Sequence, residues 1–343
     1  MKIAMTTNGL ACLAIVASGF AAAAPAQAQE RVRVAYQPLV AIPQGAMKRE
    51  GWFEEATGAT VEWLNFSSGG DVNTAFAAGE VDIGLVGLPA YVSGVAQGIP
   101  YKLIMLYDIP GTMSGLAVQE GSGIETIADL KGKRVGVTFG SGADYMLQGV
   151  LAENGLSVND LTLVNLQPQP IVAAWATKQI DAAYIWAPIL TELQAQGGTL
   201  ITDDGEMAKL GYFAGDVGLV SNTFAEEHPE LVQAWVEQNL RAVDWFNANG
   251  PGAHDAMIAE YELTAEQLPL VALPPAVVYP TRDEQLDPQW FGNGAASMVE
   301  SSVRIGEFLK ENKLISEAPT AEQLSAATDA SFLEKATVPA APQ

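Results

Sequence analysis

The stretch Ala75-Phe-Ala-Ala-Gly-Glu-Val-Asp-Ile-Gly-Leu-Val86 combines the end of a helix, a turn and the start of a β-strand. A similar stretch, Ala174-Trp-Ala-Thr-Lys-Gln-Ile-Asp-Ala-Ala-Tyr-Ile185, follows 99 residues later. This separation is close to the size of a small α/β domain. The pair therefore predicts two lobes of similar architecture. The alternative, a chance similarity between β–α–β units, stays open at this point.

Strand-like and helix-like segments alternate around both stretches. Strands are predicted at 31–36, 60–66, 81–86, 102–107, 114–118, 132–137, 161–166 and 180–185. Helices are predicted at 43–53 (ending near Gly51), 71–78, 140–154 and 170–177, and then, in a mainly helical region from Phe224 onward, at 227–246, 253–261 and 295–310. The Pro/Ala-rich tail 336–343 is predicted to be loose. This order is typical of an α/β fold with mostly parallel sheets flanked by helices.

Composition limits the class of partner. The chain has 343 residues, of which 49% are hydrophobic and 17% charged, enough for a sizeable core and roughly two domains. Lys and Arg total 17 against 40 Asp and Glu, a formal net charge of −23. A chain with this much negative charge is repelled by phosphate backbones and by anionic lipid. We therefore expect no nucleic-acid partner and no docking on anionic membranes.

Residues 1–28 have the pattern of a secretory signal peptide. A basic start at Lys2 is followed by an apolar stretch at 10–24 and by small residues before a predicted cleavage site after Ala28. The apolar stretch is shorter than the ~20 residues that a membrane span needs. We therefore expect a mature, periplasmic protein that begins at Gln29; a retained N-terminal anchor is the alternative.

No pattern of catalytic or metal-binding residues is present. Cys12, the single cysteine, lies inside the predicted signal peptide, so the expected mature chain has no disulfide, thiolate metal site or cysteine nucleophile. The two histidines, His228 and His254, lie at predicted helix starts. Histidine-pair, EF-hand, Walker and dinucleotide-binding patterns are absent from the sequence. We expect a protein without a catalytic residue, metal or cofactor.

Two serine- and glycine-rich helix starts are candidate anion sites. Ser67-Ser-Gly-Gly70 and Gly140-Ser-Gly-Ala143 each follow a predicted strand and open a predicted helix. Backbone N–H groups and the helix dipole make such a start attractive to an anion. The alternative is that the serines are ordinary N-caps. Asp144 is interpreted as a favourable charge in the first helical turn, although a ligand carboxylate is also possible.

Aromatic residues flank these helix starts. They are Tyr36, Phe66, Tyr91, Phe139, Tyr145 and Trp186. Tyr36 and Trp186 follow predicted strands, at the edge where ligands of open α/β sheets bind. Packing in the core is the alternative role for each of these aromatic residues.

Further motifs along the chain resemble those of a known family. They are Val32-Arg-Val-Ala-Tyr-Gln37, Gly58-Ala-Thr-Val-Glu-Trp63, Phe66-x-Ser-Gly69, Ala78-Gly-Glu-Val-Asp-Ile-Gly84, Asp129-Leu-x-Gly-Lys-Arg134, Val164-Asn-Leu-Gln-Pro168, Ile171-Val-Ala-Ala-Trp175, Ile180-Asp-x-Ala-Tyr-Ile-Trp-Ala-Pro188 and Phe224-Ala-Glu-x-His-Pro-Glu230. Together they resemble the taurine branch of the nitrate/sulfonate/taurine family of periplasmic substrate-binding proteins of ABC importers. The resemblance spans about 32–314.

The resemblance implies a two-lobed periplasmic binding protein of type II, whose chain crosses a hinge near Gly115 and Asp216. Lobe 1 would contain 29–115 and about 217–343, and lobe 2 would contain 116–216. Ligand contacts are carried over to Tyr36, Ser68, Gly69, Ser141, Gly142, Tyr145, Trp186 and Asp216. A sulfonate would bind helix-start N–H groups and hydroxyls, and an amine would pair with Asp216. The implied partners are a permease and an ATPase, and the protein is expected to be a monomer.

Four positions depart from the taurine pattern. Leu88 and Pro89 replace two hydroxyl residues, and Ile42 and Ser114 replace two carboxylates. These departures imply a more apolar cavity with fewer acceptors for an ammonium. Taurine, another small sulfonate, a nitrate-like anion and a cationic amine all stay open as ligands, as does service to a membrane sensor. An enzyme of the same fold is disfavoured, because the expected mature chain has neither a cysteine nor paired histidines.

Overall fold

The computed structural model describes residues 30–38, 40–250 and 252–342. The predicted signal peptide and its cleavage site lie outside these residues. The strands are β1 (Arg31–Tyr36), β2 (Thr60–Asn65), β3 (Ile83–Gly87), β4 (Tyr101–Leu106), β5 (Ile109–Pro110), β6 (Ser114–Val118), β7 (Arg134–Val137), β8 (Thr162–Asn165), β9 (Ala182–Trp186), β10 (Thr199–Asp203), β11 (Asp216–Ser221) and β12 (Val277–Val278).

Helices cover both sheets and most of the C-terminal region. They are α1 (Gln44–Glu50), α2 (Trp52–Thr57), α3 (Gly69–Ala78), α4 (Leu88–Ala96), α5 (Gly142–Glu153), α6 (Pro168–Ala176), α7 (Ile189–Ala195), α8 (Asp204–Ala208), α9 (Asn222–Glu227), α10 (Pro229–Asn247), α11 (Ala253–Glu260), α12 (Leu268–Val271), α13 (Arg282–Gln285), α14 (Ala296–Glu311), α15 (Ala321–Ala326) and α16 (Ser331–Lys335). None of the helices in the described residues is long and apolar enough to span a membrane.

The two five-stranded sheets have the same topology. Sheet 1 has the order β2-β1-β3-β11-β4, and sheet 2, read from its other edge, has the order β8-β7-β9-β6-β10. In sheet 1 only β11 runs against the other four strands, and in sheet 2 only β6 does. This architecture confirms the predicted α/β fold with two mostly parallel sheets flanked by helices.

Each reversed strand receives the chain from the other sheet. The chain leaves sheet 1 after β4, runs through 107–113 and enters sheet 2 as β6. It leaves sheet 2 after β10, runs through 204–215 and returns to sheet 1 as β11. The first crossing segment is also held by the C-terminal region, because β5 pairs with β12. The assignment of residues to two lobes that move against each other stays a prediction.

The two similar sequence stretches occupy equivalent positions and make equivalent ion pairs. Arg33 Nε donates to Asp82 Oδ2 at 3.0 Å, next to β3 of sheet 1. Arg134 Nε donates to Asp181 Oδ2 at 3.1 Å, next to β9 of sheet 2. In both places the backbone N–H of the arginine also donates to the aspartate. The pairs Val81-Asp82 and Ile180-Asp181 of the two stretches therefore mark the same junction between neighbouring strands in both sheets.

Some elements differ from the sequence prediction. The helix predicted at 43–53 is divided into α1 and α2, because Gly51 has a left-handed backbone with φ 65°. The tail has no regular structure, but it is attached to α10: Arg241 Nε donates to the carbonyl of Ala340, and Glu237 accepts from the N–H of Thr337. The prediction that the tail is loose is therefore wrong for these residues.

Candidate functional site

A cavity lies between the two sheets. Residues that follow β1, β4, β7 and β10 line it, together with the last residues of β3 and β9. The first residues of the reversed strands β6 and β11, Ser114 and Asp216, line it as well. The cavity thus lies where most strands of both sheets end, the usual place for a ligand in open α/β folds.

Five of the eight predicted site residues are brought together here. Gly69, Ser141, Gly142, Trp186 and Asp216 line the cavity. The other three, Tyr36, Ser68 and Tyr145, are buried but do not line it. Ligand binding by any of the eight stays a prediction.

Both serines of the helix starts are N-caps. The Ser68 hydroxyl accepts from the N–H of Asp71 at 3.3 Å and donates to its carboxylate. The Ser141 hydroxyl accepts from the N–H of Asp144 at 3.4 Å and donates to the carbonyl of Thr138 at 2.7 Å. Both hydroxyls already have partners, so the unpaired donors of these helix starts are backbone groups.

The N–H groups of Gly69, Gly142 and Ala143 remain available at the cavity. Within the described residues they have no hydrogen-bond acceptor, and all three residues line the cavity. They are the first-turn donors of α3 and α5, at the positive ends of the helix dipoles. Two helix N-termini, one beside each sheet, can therefore receive an anion from opposite sides.

Asp144 is not a ligand carboxylate in this arrangement. It is buried and does not line the cavity. Its carboxylate accepts from the N–H of Gly140 at 3.0 Å and from Gln148 Nε2 at 3.1 Å. Asp144 therefore stabilises the start of α5, in agreement with the interpretation from the sequence.

Three carboxylates meet in the cavity, and sequence reasoning identified one of them. Asp108 follows β4, Asp204 opens α8 and Asp216 opens β11; all three line the cavity. Asp108 and Asp204 are 1% and 4% exposed. The sequence predicts fewer acceptors for an ammonium than the taurine pattern carries, and it does not identify Asp108 and Asp204, which supply two carboxylates beside Asp216.

Hydrogen bonds fix these carboxylates. The N–H of Asp216 donates to Asp108 Oδ1 at 2.9 Å, and the two carboxyl groups lie close enough to interact electrostatically. The Tyr184 hydroxyl donates to Asp204 Oδ1 at 2.7 Å. Ser114, which departs from the family pattern, lies near Asp204 and lowers the pKa of its carboxyl. At position 114, where the taurine pattern implies a carboxylate, this chain therefore has a serine beside Asp204.

Burial without a cation raises the pKa of each of these groups. Burial is the main cause for Asp204, whose pKa is raised to about 7. Burial raises the pKa of Asp108. For Asp216, burial and then the nearby charge of Asp108 raise the pKa well above its ordinary value. None of the described residues that line the cavity is Lys, Arg or His, so a cationic ligand would supply the missing positive charge.

The anion donors and the carboxylates lie close together. A Cβ atom placed on Gly87 would lie 3.7 Å from the N atom of Gly142 and 3.8 Å from Asp216 Oδ1. A helix-start donor beside sheet 2 and a carboxylate of sheet 1 therefore both lie within 4 Å of one point. A short molecule with opposite charges at its two ends matches this separation.

Apolar groups and one indole complete the wall. Val40, Pro110, Met113 and Ala214 line the cavity together with Trp186. Trp186 Nε1 is buried and has no hydrogen-bond partner among the described residues, so its N–H is an unsatisfied donor.

The other departures from the family pattern lie away from the cavity wall. Ile42 and Leu88 are fully buried core residues, and Pro89 borders an outer groove between α4 and α5. They therefore do not make the cavity itself more apolar.

Tyr36 and Tyr145 belong to two separate aromatic clusters. The Tyr36 hydroxyl donates to Glu260 at 3.0 Å, and its ring stacks with Tyr261 at 6.2 Å. Tyr145 packs edge-to-face against Phe308 at 5.1 Å. Within the described residues, no group of three or more His, Asp or Glu is arranged to hold a metal ion.

Comparison with known proteins finds a matching family and a similar periplasmic binding protein. Residues 43–252 match the NMT1/THI5 like family. The taurine-binding periplasmic protein of Escherichia coli (strain K12) is 35% identical over 250 residues, which are 73% of this chain and 74% of that protein.

Two solved structures have similar folds. The alkanesulfonate-binding protein SsuA from Xanthomonas axonopodis pv. citri, bound to MOPS, has a TM-score of 0.75 at 23% identity, covering 89% of this chain and 100% of that chain. The desulfurization enzyme DSZB has a TM-score of 0.62 at 19% identity, covering 89% and 98%. At these identities the two likenesses show the fold alone.

Proposed function

The chain belongs to the NMT1/THI5-like family, and from this premise we propose that it is a periplasmic substrate-binding protein of an ABC importer. Its ligand is taurine or a related small organosulfonate that carries an amine. The observation that carries this proposal is the meeting of unpaired helix-start N–H groups and three carboxylates in one cavity.

The sulfonate is assigned to the N–H groups of Gly69, Gly142 and Ala143. These groups supply hydrogen bonds and a positive electrostatic potential without a basic side chain. The ammonium is assigned to Asp216, with Asp108 and Asp204 nearby. A charge-assisted hydrogen bond from the ammonium relieves the unfavourable burial of the carboxylates. A nitrate-like anion fits less well, because it lacks the positive charge that these carboxylates require.

A cationic amine without a sulfonate is the second candidate ligand. It is favoured by the three carboxylates and by the absence of basic side chains among the described lining residues. A titration of the protein starting at Gln29 separates the candidates. We expect one site per chain for taurine and weaker binding of ethanesulfonate, which lacks the amine, and of ethylamine, which lacks the sulfonate. Binding of ethylamine as tight as taurine would favour the amine-only ligand, and failure of both sulfonates to bind would contradict the proposal.

Trp186 is expected to contribute packing and a hydrogen bond. Trp186→Ala should weaken binding of taurine and of ethanesulfonate alike, by about 10- to 100-fold, because both lose contact with the ring. Trp186→Phe keeps an aromatic face and removes the unpaired N–H, so a remaining loss in this variant measures the hydrogen bond. Calorimetric titration provides the affinities. Wild-type affinity in Trp186→Ala would show that the indole is only a core residue.

We propose binding without catalysis. His228 lies 3.1 Å from Glu30 and His254 packs on the ring of Phe246, so both histidines have places outside the cavity. The likeness to a desulfurization enzyme concerns the fold and supplies no nucleophile here. Recovery of unchanged taurine after incubation with the protein agrees with this proposal, and released sulfite would contradict it.

The localisation and partners follow from the same proposal. The chain is exported by the predicted signal peptide, acts as a monomer, and delivers its ligand to a permease driven by an ATPase. A relative named as periplasmic supports the compartment. Delivery to a membrane sensor instead would leave ligand binding intact and abolish the requirement for this protein in uptake.

A further inference from the structure

Helix α14 is fixed to the sheet-1 half of the molecule. It packs along α4 and α15. A Cβ on Gly306 of α14 would lie 2.9 Å from Pro319 Cδ, so the glycine permits the close approach of the segment before α15, and 3.5 Å from Val92 Cγ1 of α4, which is an ordinary packing distance. Helix α4 itself contacts β3 and β11 of sheet 1. Helix α14 is therefore packed on the sheet-1 side of the molecule.

The side chain of Phe308 in α14 reaches the other half. The ring of Phe308 lies edge-to-face on Tyr145, with centroids 5.1 Å apart and planes at 81°. It also lies edge-to-face on Tyr212, at 6.0 Å and 86°. Edge-to-face pairs at such distances are favourable beyond the area they bury. We call Tyr145, Tyr212 and Phe308 the aromatic bridge.

Both tyrosines of the aromatic bridge are tied to α5. Tyr145 lies in the first turns of α5, three residues after Gly142. The Tyr212 hydroxyl donates to Glu153 of α5 at 3.1 Å. The Tyr212 ring lies on Gly149, where a Cβ would come within 2.6 Å of it. Phe308 therefore contacts α5 directly and through Tyr212.

The start of α5 carries the N–H groups of Gly142 and Ala143 that line the cavity. We infer that Phe308 is a positioning residue: from the sheet-1 half it holds α5 so that these N–H groups face Asp216. Phe308 does not line the cavity. Tyr145 then acts on the ligand through this bridge and not by touching it. The inference rests on the proposed function, and it adds a contact between the halves that stabilises the closed arrangement.

Removal of the Phe308 ring should shift the ligand-free protein toward an open arrangement. We expect Phe308→Ala to bind taurine about 5- to 50-fold more weakly, because binding must then supply the free energy of closure that the ring contributed. The ratio of taurine to ethanesulfonate affinity should stay unchanged, since no cavity contact is lost. Small-angle scattering should show a larger radius of gyration without ligand and the wild-type value at saturation.

Two variants separate positioning from general destabilisation. Phe308→Tyr keeps the ring and should restore wild-type affinity. Phe332→Ala removes a buried ring of α16, which packs on α10 and β4 of the sheet-1 side. It should lower the urea midpoint and leave taurine affinity unchanged.

The inference would be overturned if Phe308→Ala folds and has the wild-type affinity for taurine and the wild-type scattering. A changed ratio of taurine to ethanesulfonate affinity would overturn it as well. If the wild-type protein binds no sulfonate, the proposed function fails. The scattering of ligand-free Phe308→Ala then still decides whether the aromatic bridge holds the halves together.

Discussion

Replacing Asp216 by asparagine is expected to weaken taurine binding by about 30- to 4,000-fold. This range corresponds to about 2 to 5 kcal/mol, the loss when one member of a buried charge pair is removed, at 1.4 kcal/mol for each factor of ten. The asparagine keeps the shape of the side chain and its hydrogen bond with Asp108, so the change isolates the charge. Calorimetric titration near neutral pH measures the loss.

The ligand and the position of the charge provide the controls. Ethanesulfonate has no ammonium, so Asp216→Asn should leave its affinity unchanged or raise it, because a like charge is removed. Asp283→Asn changes an exposed carboxylate on α13 whose side chain is 91% accessible, and it should leave taurine affinity unchanged. An equal loss for both sulfonates in Asp216→Asn would place Asp216 outside the ammonium site.

The sequence predicts the sheets better than it predicts every helix. Strand β6 begins and ends where the sequence predicts it, at Ser114 and Val118. Helix α4, by contrast, has no polar face: seven of its nine residues are buried between sheet 1 and α14. A helix buried on nearly all sides has no amphipathic period, so periodicity does not reveal it.

In the candidate site, too, the sequence predicts some residues and does not reveal others. Gly69 and Gly142 are predictable because a strand followed by a serine-capped helix places their N–H groups at a sheet edge. Tyr36 is close in sequence, but strand alternation directs it to the cluster with Tyr261, and the following residue, Gln37, lines the cavity. Asp108 and Asp204 lie after strands that are distant in sequence. Their approach depends on the reversed strands β6 and β11, which a local pattern does not reveal.

Burial of these carboxylates makes the stability of the ligand-free protein depend on pH. The pKa of Asp204 is raised by burial from 3.8 to about 7, so between these values the folded chain binds a proton that the unfolded chain has lost. The free energy of unfolding therefore falls as the pH rises through this interval. For Asp204 alone the fall between pH 5 and pH 8 is about 3 kcal/mol, at 1.36 kcal/mol for each pH unit. The raised pKa values of Asp108 and Asp216 act in the same direction.

We accordingly expect Asp204→Asn to raise the free energy of unfolding at pH 8 and to remove about 3 kcal/mol of its fall from pH 5, as measured by urea titration without ligand. The asparagine oxygen can still accept from Tyr184, so packing is kept. Tyr184→Phe removes that donor, raises the pKa of Asp204 further and should extend the fall in stability to higher pH.

Taurine should reverse the trend in the wild-type protein, because its ammonium favours the ionised carboxylates and its stabilisation is then larger at pH 8 than at pH 5. If the free energy of unfolding changes equally with pH in the wild type and in Asp204→Asn, Asp204 is ionised throughout this range. The positive charge assigned to the ligand would then have no physical basis at this residue.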